Sequence, residues 1–174
     1  TYWVCRKTFE LSRQLRAAGH TLGLSINISA RNLQAANFTR NIARIAAETG
    51  VNLHDITMEL TETAVMLDPV EALRVMHELA DIGVRLSIDD FGTGYSSLSH
   101  LKQLPVDEIK IDRSFVKEMQ NNSDDQVIVQ TTLVMGHSLG LKVVAEGIED
   151  GATLQRLQQL GCDLAQGYHI ARPM

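Results

Sequence analysis

VRLSIDDFGTGYSSL, residues 84–98, carries the clearest mark of the chain's architecture. Val84–Ile88 is a short, mostly apolar strand, and it runs straight into two adjacent carboxylates, Asp89 and Asp90. Gly92 and Gly94 follow in FGTGYSS. A nucleotide-binding turn would open a helix directly on such a glycine pair; none opens here, so a phosphate-loop reading is weak. Upstream, Asp68 and Pro69 supply an N-cap and a first helical residue for a helix that stops before Gly83. The unit is therefore a helix, a glycine stop, an apolar strand and a polar cluster.

That unit recurs in both directions. Towards the N-terminus, a helix over 2–18 stops before Gly19 and leads to the strand Leu22–Ile28; a second over 32–49 stops before Gly50 and leads to Ile56–Leu60. Towards the C-terminus, a tight connection, Ser96 to Leu104, precedes Glu108–Ile111. Ser123 caps a helix that stops before Gly140 and leads to Leu141–Ala145, and a helix over 151–160 stops before Gly161 and leads to Leu164–Tyr168. Glycine suits each stop because the left-handed C′ position carries no Cβ clash. Six strands alternating with helices favour a parallel sheet with helical crossovers. An open doubly wound sheet competes with a (β/α)₈ TIM-like barrel; the barrel fits better, although six strands cannot close one. The expectation is an incomplete α/β barrel over 1–174, with two strands and a first helix lying upstream.

Length and composition bound the rest. The 174 residues are 44% apolar, enough for one domain with a core. No apolar run approaches the roughly 20 residues that a spanning helix needs. The chain opens at Thr1 inside an amphipathic segment without a signal-like start, which reads as a piece of a longer protein. Cys5 and Cys162 have neither metal-ligand spacing nor the numbers for a disulfide framework, so a cytoplasmic location is expected. The net charge of −5 argues against a nucleic-acid polymer as partner, but leaves room for a small phosphate ligand held through metal ions.

Polar groups fall at one place in each unit, the C-terminal end of the strand: Asn27, then Glu59 and Glu62, Asp89 and Asp90, Lys110 and Asp112, Glu146 and Glu149, and Gln166. In a parallel barrel these ends open on one face, where barrel enzymes do their chemistry. Lys110 and Asp112, two apart on a strand, point the same way. A single carboxylate at a strand end is ordinarily a helix cap or a solvated charge; recurrence at six strand ends points to a site. Like charges about 4 Å apart repel by around 4 kcal/mol at an effective dielectric near 20. Hard oxygen groups gathered this closely suit Mg²⁺ or Mn²⁺, and Asp89 is the natural bridge between two ions. The six histidines lie mostly in helices and connections, so no zinc set forms.

The segments SINISARNLQ, ITMELTETAVM, IDDFGTGYSSL, KIDRSF, VAEGIE and LGCDLAQGYHIARPM resemble the EAL domain in order and spacing from residue 3 to 174. The resemblance implies two-metal hydrolysis of cyclic di-GMP to linear pGpG. It implies metal contacts for Asn27, Glu59, Asp89, Asp90, Asp112 and Glu146, and catalytic roles for Glu146 as general base and Lys110 as holder of the attacking water or a phosphate oxygen. It implies substrate contacts for Gln166 and Asp112. Glu62 would anchor the loop Phe91–Leu98, and Glu149 would stabilise its own loop. Homodimerisation and upstream sensory or GGDEF domains, with any membrane anchor lying in those upstream segments, are further implications. The Glu-Ala-Leu signature itself belongs to a strand before residue 2; Glu71-Ala72-Leu73 spells it within a helix and is a coincidence. The chain alone is therefore expected to show little activity. The alternative is a non-catalytic cyclic di-GMP receptor, which a substituted signature glutamate upstream would favour.

Overall fold

The computed structural model describes residues 1–94 and 98–172. The elements follow in order as α1 (Tyr2–Ala17), β1 (Leu24–Asn27), α2 (Ala30–Leu33), α3 (Phe38–Thr49), a 3₁₀ turn (Leu53–Asp55), β2 (Ile56–Thr61), α4 (Glu62–Met66) and α5 (Pro69–Asp81). They continue as β3 (Arg85–Phe91), α6 (Leu98–Leu101), β4 (Glu108–Ile111), α7 (Arg113–Glu118), α8 (Ser123–Ser138), β5 (Lys142–Ala145), α9 (Gly151–Gln159) and β6 (Leu164–Ala165). The sheet order is the chain order, β1 to β6. The pairs β1–β2, β4–β5 and β5–β6 are parallel, as helical crossovers require.

The chain divides into two compact units, residues 1–87 with 98–105, and residues 88–97 with 106–174. In the first, α1 and α3 pack on each other, and Phe9, Phe38, Ile42 and Ile45 are buried with Ile56, Met58 and Leu60 of β2. Arg16 near the end of α1 grips Asp55 with two hydrogen bonds, at 2.8 and 2.9 Å. In the second unit, α8 lies on β4 and β5, with Val129 and Leu133 buried alongside Ile109, Ile111 and Val143. Gly136 makes that packing close: a Cβ there would stand 2.6 Å from Val143 Cγ2.

Helix stops fall where expected, with positive φ at Gly19, Gly50, Gly83, Gly140 and Gly161. Asp68 caps α5, its side chain accepting from the Glu71 N–H at 3.2 Å. Four expectations change. The helix over 32–49 is two helices, because Asn37 turns left-handed (φ 64°), a conformation asparagine tolerates. The cap of α8 is Asn122, which accepts from the Asp124 N–H at 2.9 Å, while Ser123 is already helical. The last strand is only two residues long; beyond Ala165 the chain turns to bond the loop after β5 instead. The first strand is shorter than Leu22–Ile28, running only over Leu24–Asn27, and Glu62 begins α4, which the Thr61 side chain caps by accepting from the Ala64 N–H at 3.2 Å. Part of the Ser96–Leu104 connection lies outside the described residues; within the described part, α6 forms.

Candidate functional site

The second unit gathers five of the expected residues at the ends of β3, β4 and β5. Lys110, the third residue of β4, has a side chain only 4% exposed, and its ammonium lies 3.4 Å from Asp89 Oδ1 and in contact with the Glu146 carboxylate. Asp89 comes from β3, and Glu146 follows β5 directly, its N–H bonded to the Ile111 carbonyl at 3.3 Å. A buried ammonium needs such partners, since an isolated charge there would be neutralised.

Asp90 has a left-handed backbone (φ 54°), uncommon for a residue with a side chain, and its N–H bonds the Asp89 side chain at 3.1 Å. A left-handed residue departs from extended geometry, so this adjacent pair need not alternate as in a regular strand. Burial, reinforced by the neighbouring carboxylates of Asp89 and Asp112, pushes the Asp90 carboxyl above its usual range. Asp112 behaves oppositely. Burial would raise it, but hydrogen bonds from the Ser114 hydroxyl and N–H, and one shared with Asp90, hold it low. The same bonds make Asp112 the N-cap of α7, with Ser114 N–H at 3.0 Å. Ser114 was missed in the sequence, although an aspartate two residues before a serine at a helix start is a capping signal.

The loop after β5 is fastened on its other side by main chain. Gln166 N–H bonds the Ala145 carbonyl at 2.9 Å, and Ile148 N–H bonds the Gln166 carbonyl at 3.1 Å. The next residue, Gly167, sits so close that a Cβ would stand 2.2 Å from the Ile148 carbonyl oxygen. Gly147 is equally tight, with φ 71° and room for no Cβ beside Arg113. Both glycines went unnoticed in the sequence, where only the helix stops and the pair Gly92 and Gly94 were read. The Gln166 side chain is exposed, as is Glu149, whose carboxylate lies 3.9 Å from the Lys117 ammonium.

In the first unit, Asn27 ends β1 and Glu59 is the fourth residue of β2, and the two are direct partners in the parallel register. Asn27 is exposed and Glu59 is 6% exposed. Glu62 is 3% exposed at the start of α4; the loop it was expected to anchor includes residues 95–97, outside the described residues. A cavity of about 430 Å³ in this unit, lined among others by Phe38, Arg40, Arg74 and Glu78, contains none of the expected residues.

Asp89, Asp90, Asp112 and Glu146 offer carboxylate oxygens with no thiolate or imidazole among them, a hard donor chemistry, and burial together with the neighbouring carboxylates raises the Asp90 carboxyl. That chemistry fits Mg²⁺ or Mn²⁺. Among the described residues, no group of three His, Cys, Asp or Glu side chains is arranged around one point to hold an ion. No helix among them is long and apolar enough to cross a membrane.

A family model for the EAL domain matches residues 1–173. Cyclic di-GMP phosphodiesterase NbdA of Pseudomonas aeruginosa is 39% identical over 173 residues, which cover 99% of this chain and 22% of that protein. The bifunctional diguanylate cyclase/cyclic di-GMP phosphodiesterase MucR of the same organism is 39% identical over 169 residues, 95% of this chain and 25% of that one. The chain thus spans only about a fifth to three-tenths of the length of the curated relatives it matches. Among solved structures, the PaMucR phosphodiesterase in complex with c-di-GMP superposes with a TM-score of 0.96 at 37% identity, covering 99% of this chain and 70% of that one. The EAL domain of Mycobacterium smegmatis DcpA gives 0.92 at 38%, covering 99% and 78%. The fold is α/β of the TIM-like (β/α)₈ class, to which this chain contributes six strands. With the family model matching nearly end to end and relatives well above 30% identity, the chain belongs to the EAL domain family.

Proposed function

We propose that the domain to which this chain belongs hydrolyses cyclic di-GMP to linear pGpG with the help of two divalent ions, Mg²⁺ or Mn²⁺. The observation that carries the reading is the cluster of Asp89, Asp90, Asp112 and Glu146 about Lys110, at the strand ends where barrel enzymes act. Asp89, Asp90, Asp112 and Glu146 in one unit, and Asn27 and Glu59 in the other, are the residues assigned to the ions. When bound, such ions lower the pKa of a water and stabilise charge on the leaving oxygen.

The chain's own groups have separate tasks. Glu146 takes the proton of the attacking water as its oxygen bonds phosphorus; the phosphorus bond to one ribose oxygen breaks, and that oxygen regains a proton from solvent. Lys110 holds the water or a phosphate oxygen and keeps Glu146 in place. Gln166 and Asp112 contact the dinucleotide, and the exposure of Gln166 suits a ligand-facing group. Glu62 and Glu149 support loops. Homodimerisation and a cytoplasmic site of action belong to the same proposal.

The test is hydrolysis by the domain extended upstream to include the strand with the Glu-Ala-Leu signature, beside its Glu59→Ala variant. Mg²⁺-dependent pGpG from the parent, lost in the variant, is the expected result, with little turnover by residues 1–174 alone. A folded, extended domain that binds cyclic di-GMP without cleaving it would replace this reading with that of a receptor.

A further inference from the structure

Lys110 answers two demands that oppose each other. Its ammonium is nearly sealed from solvent and lies between Asp89 and Glu146, whose side chains are 15% and 18% exposed. Each of the three charges depends on the others, because a single buried charge left without its partner is strongly disfavoured. Yet Asp89 and Glu146 are also carboxylates assigned above to divalent ions. A carboxylate has roughly four lone-pair sites and can in principle serve two cations. A doubly charged ion and an ammonium on one carboxylate pair, however, repel each other in a poorly solvated place. In the structure the Lys110 ammonium is shared between the Asp89 and Glu146 carboxylates.

We propose that Lys110 is an internal counter-ion that competes with divalent metal for Asp89 and Glu146, so that metal entry displaces its ammonium from at least one of the two. This rests on the metal-dependent reading of the site. The consequence is that the lysine sets the metal affinity: it keeps the acidic cluster folded when metal is scarce and loosens the grip on the ions. A displaced ammonium is free to turn to a phosphate oxygen, so metal loading would hand Lys110 to the substrate. A lysine that only fills space would do neither.

The experiment compares Mn²⁺ binding by the domain extended upstream to include the signature strand and by its Lys110→Met variant, using the electron paramagnetic resonance signal of free Mn²⁺. Removing one competing positive charge should lower the dissociation constant by about tenfold or more. The variant should melt at a lower temperature than the parent in chelator and recover more of that loss on adding Mn²⁺. Equal or weaker binding by a variant with native circular dichroism would overturn the inference while leaving the metal-dependent function standing. Failure of both proteins to bind Mn²⁺ would remove the inference and the metal reading together. Should Lys110→Met not fold, the parent suffices: the Lys110 Cε–Hε resonance, assigned through Lys110→Arg, should shift as Mg²⁺ saturates the site. A resonance unmoved at saturation refutes the displacement.

Discussion

Gly147→Ala probes how the residue before it is held. Its φ is 71°, and a Cβ there would lie 2.4 Å from Arg113 Cβ and 3.2 Å from Arg113 Cα. Gly140, with φ 76° and nothing within 4 Å of the same position, provides the control. A left-handed backbone costs a residue with a side chain about 1–2 kcal/mol. Replacing glycine also restricts the unfolded chain, which returns about 0.4–1 kcal/mol. Gly140→Ala should therefore lose about 1 kcal/mol or less. At Gly147 the obstacle is the root of Arg113 rather than the tip of a flexible side chain, and overpacking of that kind adds about 1–3 kcal/mol. The expected loss is about 1–4 kcal/mol. Urea unfolding of the two variants followed by circular dichroism reads the difference. Equal losses would refute the idea that α7 is seated against the Glu146 loop through this glycine.

Asp163 offers a pH test. Burial would raise its carboxyl, but the Val143 N–H and His137, both at 2.8 Å, hold it below the usual range. A depressed native value means that its stabilisation is present above the unfolded pKa of about 3.9 and is lost as pH falls through the lower native value. With the side chain about a third exposed, the contribution is at most about 1 kcal/mol. Asp163→Asn should therefore flatten the acid limb of stability below about pH 5, and an unchanged limb in urea titrations would count against it. Asn122→Ala should cost about 1 kcal/mol as the lost cap of α8, and Ser123→Ala well under that; the reverse order would restore Ser123 as the cap. Gly136→Ala gains about 1 kcal/mol of helix propensity, yet the 2.6 Å approach to Val143 should outweigh it. Pairing it with Val143→Ala in a double-mutant cycle should recover part of the loss.

The strands and helix stops were legible because each rests on a local signal: an apolar run, a capping aspartate followed by proline, a glycine that can turn left-handed. Asn37 escaped because asparagine is compatible with a helix until its backbone is seen. The shortness of β6 escaped because Gln166 exchanges sheet pairing for bonds to Ala145 and Ile148, a choice made by the neighbouring loop. At the site, residue types and strand ends were readable. That Lys110 would join Asp89 to Glu146 was not, because it depends on which side chains burial brings within reach. Nor was the left-handed Asp90, which no local pattern demands.

The attachment of Gln166 to Ala145 and Ile148 runs entirely through peptide groups. Mutation cannot delete a carbonyl, and only proline deletes an N–H. This fastening of the Glu146 loop therefore does not depend on the identity of the Gln166 side chain. Gly167 has no such latitude, since any side chain there would enter the space already filled by the backbone of Ile148. Its replacement would be a sharper warning of lost function in a diverged copy than most changes among the acidic residues' neighbours.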